Sequence, residues 1–264
     1  MQNLLDRIKY RAIMTAGGNA IGIVRFPDAS RRSEYALIAN YFMPKNPLLQ
    51  QFGFLEGSKS FYMSGEEFSA NGVRAAAWLL YQLTGKSQGT FTASGLSNPV
   101  KYFALSSGCV QCDFEGLALV TKRFKLSEGV EGTLVDFGGI CHFVLDKKFK
   151  FYDEPNYYRA LHEEVMGELN LGHKPAFGVI WQRQLSKGIG IDPVVRVSKT
   201  NSCCYETACG SGTLAILEAS GLMKLLVSQP SGKFISVFKN CGTYSLISEV
   251  QEIVTAESRT WGWR

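Results

Sequence analysis

Residues 205–213 read Tyr-Glu-Thr-Ala-Cys-Gly-Ser-Gly-Thr and place a cysteine, Cys209, at the expected start of a helix. The mostly apolar run 214–219 continues the helix pattern, and Gly221 is its expected stop. A helix N-terminus presents unpaired N–H groups and the positive end of the helix dipole. Such an end binds carboxylates and lowers the pKa of a nearby thiol. The stretch therefore predicts a reactive thiol beside an anion-binding site.

A weaker copy of this arrangement occurs earlier in the chain. Ser69 is followed by Gly72 and a helix pattern over 73–83, and Gly85 is the expected stop. The spacing from Ser69 to Gly72 equals that from Cys209 to the glycine three residues later. The repeat predicts two similar halves, each presenting a helix N-terminus with a nucleophile-type side chain.

Charge and hydropathy exclude several classes of partner. The 264-residue chain has 28 basic and 23 acidic residues, and the basic ones cluster only at 122–125 and 147–150. This distribution is typical of a solvated surface rather than a nucleic-acid-binding face. No segment approaches the roughly 20 apolar residues of a membrane span, and residues 1–7 lack the apolar core of a signal peptide. We expect a cytoplasmic protein that binds neither nucleic acid nor membrane.

The seven cysteines indicate reduced thiols rather than a disulfide framework, because their number is odd and most lie in apolar runs. Cys109 and Cys112 have the spacing of a metal or redox pair. No second pair with zinc-type spacing follows, so we favour a structural role and expect no metal. No glycine-rich loop of the nucleotide-binding type is present.

The order of predicted elements indicates an α/β (α+β) protein with two domains. Many short strand patterns surround one strong helix pattern in each half. The first predicted half spans 1–107 and includes a C-terminal strand from about 242–264, and it carries Ser69. The second spans 108–241 and carries Cys209. The break rests on the small residues 106–108.

Several motifs resemble those of diaminopimelate epimerases. These are the turn at 17–19, the Ser69 segment 69–74, the strand 136–144 and the Cys209 segment 206–213. Segments 34–40, 63–68 and 227–232 are similar to the histidine racemases of opine metallophore biosynthesis, which is the closer match. The resemblance implies two pseudo-symmetric domains, each a curled mixed or antiparallel sheet around a central helix. It also implies an active site between them and no cofactor.

The resemblance further implies a two-base racemisation of a free amino acid without pyridoxal phosphate. One group removes the α-proton while another delivers a proton to the opposite face, and backbone N–H groups hold the carboxylate. The implied catalytic residues are Ser69 and Cys209. The implied substrate-binding residues are Asn19, Ala70, Asn71, Gly72, His142, Glu206, Gly210 and Ser211.

Each of these polar residues also has an ordinary structural interpretation. Asn19 and Asn71 could be turn formers, and Ser69 could be a simple N-cap. His142 could be a core histidine on a strand, and Glu206 could cap the helix instead of binding the substrate amine. The residues alone leave these alternatives open.

Three departures from the epimerase pattern bear on function. Ser69 replaces a cysteine, either by engineering or naturally, and a hydroxyl is a much weaker acid than a thiol. Gly139-Ile140 replaces an Asn-Pro pair, and 199–202 lack the Glu-Arg pair upstream of the second cysteine. The last two departures argue against diaminopimelate, and histidine is the favoured substrate.

Three classes of function follow from these observations. The first is an amino-acid racemase or epimerase that acts on a small-molecule substrate, with histidine as the leading substrate. The second is an isomerase or dehydratase that uses Ser69 and Cys209 on a hydroxyproline-like substrate. The third is a non-catalytic amino-acid-binding protein. A homodimer is compatible with all three.

Overall fold

The structure, a computed structural model, describes residues 5, 7–105, 107–117, 120–186 and 188–253. Ser106, at the predicted domain break, and residues 254–264 of the predicted C-terminal segment lie outside this range. The division into halves at residue 107 stays a prediction. In the part of the chain that the structure describes, no helix is long and apolar enough to cross a membrane.

The described residues form sixteen strands in one continuous sheet. In chain order they are β1 (Arg11–Thr15), β2 (Gly18–Phe26), β3 (Leu49–Glu56), β4 (Ser60–Met63), β5 (Gln88–Ala93), β6 (Val100–Ala104), β7 (Cys109–Glu115), β8 (Val120–Lys125), β9 (Glu131–Asp136), β10 (Cys141–Leu145), β11 (Ala176–Gln184), β12 (Ile189–Val197), β13 (Ser202–Tyr205), β14 (Lys224–Ser228), β15 (Phe234–Asn240) and β16 (Thr243–Ile253).

Within the described ranges, four α-helices accompany the sheet. They are α1 (Tyr35–Phe42), α2 (Ala70–Thr84), α3 (Pro155–Glu168) and α4 (Gly210–Ser220). Short 3₁₀ turns occur at Arg32–Glu34, Met43–Lys45 and Ser127–Gly129. In α1 the buried residues Tyr35, Ile38, Ala39 and Phe42 follow helical spacing, so this helix buries one face only.

The first part of the sheet closes on itself around α2. Strands β1 to β7 pair in sequence order, β7 pairs with β16, and β16 returns to pair with β1. The helix inside this ring is buried along most of its length and carries three consecutive alanines, 75–77. Alanine favours the helix and takes little space, which suits a helix packed on all sides.

The second part of the sheet curls around α4. Its strand order is β16, β15, β14, β12, β11, β10, β9, β8, with β13 paired on β12. One hydrophobic core contains residues of both central helices, and two further cores lie under α1 and under α3. The predicted α/β architecture, with the sheet curled around each of two central helices, is confirmed. The shared core brings the two helix starts together.

Candidate active site

Ser69 and Cys209 occupy equivalent positions at the starts of the two central helices. Ser69 is the N-cap of α2 with φ/ψ of −124°/107°, and Cys209 is the N-cap of α4 with −135°/106°. The Gly72 N–H donates to Ser69 Oγ at 3.0 Å, and the Gly212 N–H donates to Cys209 Sγ at 3.3 Å. The helices end on glycines with left-handed φ values of 69° and 68°. The sequence repeat is therefore a repeat of backbone geometry.

The two helix starts are in direct contact. A Cβ atom built on Gly210 would lie 2.9 Å from the Ala70 Cβ and 2.9 Å from the Asn71 Oδ1. The Asn71 side-chain amide donates to the Ala208 carbonyl at 2.8 Å. Only glycine at position 210 permits this approach, because any side chain would overlap α2.

Backbone donors for an anion converge at this contact. The first intrahelical bonds of α2 and α4 run from the Val73 and Thr213 N–H groups to the carbonyls of the two caps. The N–H groups before them have no acceptor within their own helix. They belong to Ala70, Asn71, Gly210 and Ser211. Two helix dipoles thus point their positive ends at one place, which suits a carboxylate.

Gln51, on β3, links the two caps through side chains. Ser69 Oγ donates to Gln51 Oε1 at 2.8 Å, and Gln51 Nε2 donates to Glu206 Oε1 at 3.0 Å. The Glu206 carboxyl group lies close enough to Cys209 to act on its thiol. Gln51 therefore connects the hydroxyl of one cap to a carboxyl group that neighbours the thiol of the other.

The thiol of Cys209 is held in its neutral form. Only 1% of Cys209 is exposed, and burial, together with the negative charge of Glu206, raises the pKa of the thiol well above its ordinary value. The Ser211 hydroxyl, 3.6 Å from Sγ, and the Gly212 N–H act in the opposite direction. Burial also raises the pKa of Glu206 to about 7, so this carboxyl group can hold a proton near neutral pH.

Asn19 presents a buried amide without a partner. Its backbone lies in the left-handed region with φ of 36°, and its N–H donates to Thr207 Oγ1 at 2.8 Å. The side-chain amide lies near enough to Glu206 to lower the pKa of that carboxyl group. Yet neither its Oδ1 nor its Nδ2 makes a hydrogen bond of normal geometry within the described residues. A buried amide of this kind needs a partner, and a bound ligand can supply one.

His142 lies behind the helix start rather than beside the caps. Its ring is fully buried on β10, and Nε2 hydrogen-bonds Ser211 Oγ at 2.9 Å. Burial lowers the pKa of His142 to about 3, so the imidazole is neutral. Through Ser211 it orients a hydroxyl that contacts the Cys209 thiol. This placement makes His142 a support for Ser211.

Glu67 is a second buried carboxyl group near the caps. It lies in the turn before α2, and burial raises its pKa to about 7, with a further contribution from the charge of Glu206. Its Oε2 atom has no hydrogen-bond partner among the described residues. Two carboxyl groups with pKa values near neutrality therefore lie close enough to influence each other. Each carboxyl group carries a negative charge when ionised and can then pair with a cationic group of a ligand.

The raised pKa of Glu67 predicts a pH-dependent gain in stability for Glu67→Gln. A carboxyl group with a higher pKa in the folded state binds more protons there than in the unfolded chain, so the free energy of unfolding falls as pH rises from about 4.5 to about 7. Glutamine does not ionise, so the free energy of unfolding of Glu67→Gln does not fall in this way as the pH rises. We expect Glu67→Gln to be more stable than the parent by roughly 1–3 kcal/mol at about pH 8.

Urea unfolding at about pH 8 and about pH 4.5 measures this difference. The matched control is Glu66→Gln, because Glu66 is exposed and pairs with Lys199 on the surface. This control should show no such gain at the higher pH. An equal stability difference between Glu67→Gln and the parent at both pH values would contradict the explanation by burial.

Sequence reasoning missed several polar residues that organise the site. Gln51 joins the caps, Gln229 Oε1 accepts the Cys209 N–H at 2.8 Å, and Glu67 supplies the second carboxyl group. Gln229 and Glu67 lie within segments that carried the resemblance, although no role was assigned to them. Gln51 had no sequence signal beyond a polar residue at the start of an apolar strand.

The Cys109 and Cys112 pair does not form a metal site. Both are free thiols on β7, and residues three apart on a strand point to opposite faces. Among the described residues, no group of three or more His, Cys, Asp or Glu side chains is arranged to hold a metal ion.

Comparisons with known proteins agree with the fold and identify a family. A sequence model of the family described as histidine racemase CntK N-terminal domain matches residues 23–255. No curated protein matches the chain in sequence.

Similar solved structures share the fold at low sequence identity. A "predicted epimerase" from Pseudomonas aeruginosa superposes with a TM-score of 0.60 at 14% identity, covering 94% of this chain and 97% of that one. A PhzF-family phenazine biosynthesis protein from Enterococcus faecalis gives 0.58 at 14% identity with the same coverage. A PhzC/PhzF phenazine biosynthesis protein from Clostridium difficile gives 0.58 at 11% identity, again covering 94% and 97%.

The fold and the matched family define an isomerase of the racemase and epimerase class. The chain belongs to the histidine racemase family whose N-terminal domain model spans most of its length. The family expected from the sequence motifs is confirmed.

Proposed function

We propose that this protein racemises free histidine without a cofactor, by proton removal and return at the α-carbon between positions 69 and 209. The observation that carries the proposal is the pair of equivalent N-caps on touching helix starts, with Ser69 joined to Glu206 through Gln51. The α-proton of an amino acid is far less acidic than any side chain. A catalyst therefore needs strong stabilisation of the developing negative charge and a base on the correct face.

The substrate carboxylate is proposed to bind the free N–H groups of the two helix starts. As the α-proton leaves, negative charge spreads into the carboxylate, and N–H groups already pointing there stabilise it without reorganising. Ala70, Asn71, Gly210 and Ser211 supply these donors. The caps then flank the α-carbon from the two helices.

Cys209 is proposed as the principal base and acid. The Glu206 carboxyl group acts on this thiol and has a pKa of about 7, so it can receive the thiol proton. The resulting thiolate would remove the α-proton from one face of the substrate. On the opposite face, Ser69 is proposed to pass on a proton that its hydroxyl takes up from solvent, because the Gln51 amide oxygen to which it donates can only accept.

Two buried carboxyl groups favour an amino acid with two basic groups. Histidine has an α-amine and an imidazole, and Glu206 and Glu67 each can receive one of them. Glu67 Oε2 and the Asn19 side-chain amide have no hydrogen-bond partner within the described part of the chain, so both are available to the ligand. Diaminopimelate carries a second carboxylate, which two carboxyl groups would repel. By analogy with the family that its motifs resemble, the D-histidine product is proposed to supply metallophore biosynthesis.

A substrate panel tests this function directly. Pure L- and D-histidine, diaminopimelate and hydroxyproline are incubated in D₂O with the parent protein and with Ser69→Cys, then followed by chiral chromatography and NMR. We expect deuterium at the α-carbon of histidine and inversion in Ser69→Cys, with little change in diaminopimelate. A preference for diaminopimelate would contradict the substrate, and dehydration of hydroxyproline would indicate the alternative isomerase chemistry.

A further inference from the structure

Arg74 is a fully buried cation with unusually few partners. It lies on the second turn of α2 and has no exposed surface. One terminal nitrogen, Nη2, donates to Asn71 Oδ1. The remaining guanidinium nitrogens, Nε and Nη1, have no hydrogen-bond partner among the described residues. Buried arginines are normally paired with a carboxylate, so this one requires an explanation.

The charge of Arg74 persists at neutral pH. Burial lowers the pKa of the guanidinium to about 10, which still leaves it protonated near pH 7. The ionisable groups that act on it are two thiols, Cys112 on β7 and Cys209 at the start of α4. Burial raises the pKa of Cys112, so this thiol stays neutral and offers no compensating charge. Of these two thiols, Cys209 is therefore the one whose anion can balance the charge of Arg74.

The position of Arg74 ties it to the start of α4. Its Nη2 atom is 3.1 Å from the place that a Cβ on Gly210 would occupy, next to Cys209. Nη2 also donates to Asn71 Oδ1. The Asn71 side-chain amide in turn donates to the carbonyl of Ala208, the residue before Cys209. The guanidinium thus lies behind both helix starts and orients Asn71, the side chain that connects them.

We propose that Arg74 is a positioning residue that places a permanent positive charge behind the two helix N-termini and balances the Cys209 thiolate when it forms. The inference rests on the proposed function only in taking Cys209 as the reacting thiol. A thiolate is unfavourable in a buried site, and it is more unfavourable while Glu206 is ionised. The cation that Asn71 holds offsets this cost and also adds to the attraction for a substrate carboxylate.

Among the other groups described around Cys209, none supplies a positive charge that could balance the thiolate. Glu206 opposes thiolate formation, whereas the Ser211 hydroxyl and the Gly212 N–H favour it. Gln229 contacts the backbone N–H of Cys209 rather than its sulfur. His142 reaches the thiol only through Ser211, and its lowered pKa leaves it uncharged.

The test is a titration of the Cys209 thiol in the absence of substrate. Thiolate absorbance in the ultraviolet is recorded against pH for the parent, Arg74→Met and Arg74→Lys. Each is measured again with Cys209→Ala, and the difference isolates Cys209 from the other thiols. We expect Arg74→Met to shift the midpoint upward, so that the thiolate fraction at a fixed pH falls about tenfold. Arg74→Lys retains the charge and should shift it much less.

Controls separate this effect from a purely structural one. Arg123→Met removes one exposed positive charge that pairs with Asp146, and it should leave the Cys209 titration unchanged. Should Arg74→Met fail to fold, Arg74→Gln provides a second neutral variant for the same measurement. The pH profile of kcat/KM for α-proton exchange should move in the same direction as the titration.

A Cys209 titration in neutral Arg74 variants that matches the parent would overturn the proposal, whatever the substrate. If the Cys209 midpoint shifts upward in the neutral Arg74 variants but the parent does not act on histidine, the role of Arg74 is supported and the proposed substrate is rejected. The two conclusions can therefore fail independently.

Discussion

Cys209→Ala is expected to abolish both racemisation and α-proton exchange for each enantiomer of histidine. The physical reason is that the thiol is the acid–base group of one cap, while the other cap is a hydroxyl that is not ionised near neutral pH. General acid–base groups contribute about 10²–10⁴-fold each. Because Ser69 cannot substitute as a base, the loss in the exchange rate should be at least of this size. The measurement is deuterium incorporation from each pure enantiomer, followed by NMR.

A matched control for this variant is Cys203→Ala. Cys203 is half-buried on β13 in the same half of the protein, but it caps no helix. Exchange should persist in this control. If Cys209→Ala retained α-proton exchange, Cys209 would not be the base, and Glu206 would be the next candidate.

Ser69→Cys is expected to raise racemase turnover by about 10²–10⁴-fold. The backbone at position 69 already has nearly the same φ and ψ as the backbone that holds the thiol at position 209. The Gly72 N–H is positioned to support a sulfur as the Gly212 N–H does. A thiol at position 69 would therefore supply the second base without a change in fold. Turnover is measured by chiral chromatography of histidine.

Ser220→Cys is a suitable control, because it adds a thiol at the far, exposed end of α4. It should not change turnover. Full racemase activity in the chain as it stands, together with no gain in Ser69→Cys, would mean that the serine is a competent natural partner of Cys209.

The sequence was most informative where function required a local pattern. The spacing from each cap to its glycine, and the terminal Gly85 and Gly221, predicted both helices and their starts. These features depend on neighbouring residues only, so they can be read from a short window. Strands such as β10 followed equally from their apolar runs.

Other features depended on distant contacts and could not be read locally. The bond from Gln51 to Glu206 joins residues 155 positions apart. Strand β14 was not predicted, because it begins just after the glycine stop of α4 and exposes alternate residues. On α3 the polar residue His162 is buried and its ring hydrogen-bonds the Phe177 carbonyl, a contact that the hydropathy pattern of the helix does not indicate.

The matching geometry of the two caps has a thermodynamic consequence. L- and D-histidine have equal free energies in water, so detailed balance requires the forward and reverse values of kcat/KM to be equal. A hydroxyl at one cap and a thiol at the other cannot make net racemisation favour either direction. The mismatch can instead appear in isotope exchange, because one enantiomer can exchange its α-proton with Cys209 alone and return unchanged. A near-symmetric fold with unequal caps would thus exchange the α-proton of one enantiomer quickly while interconverting the two enantiomers slowly.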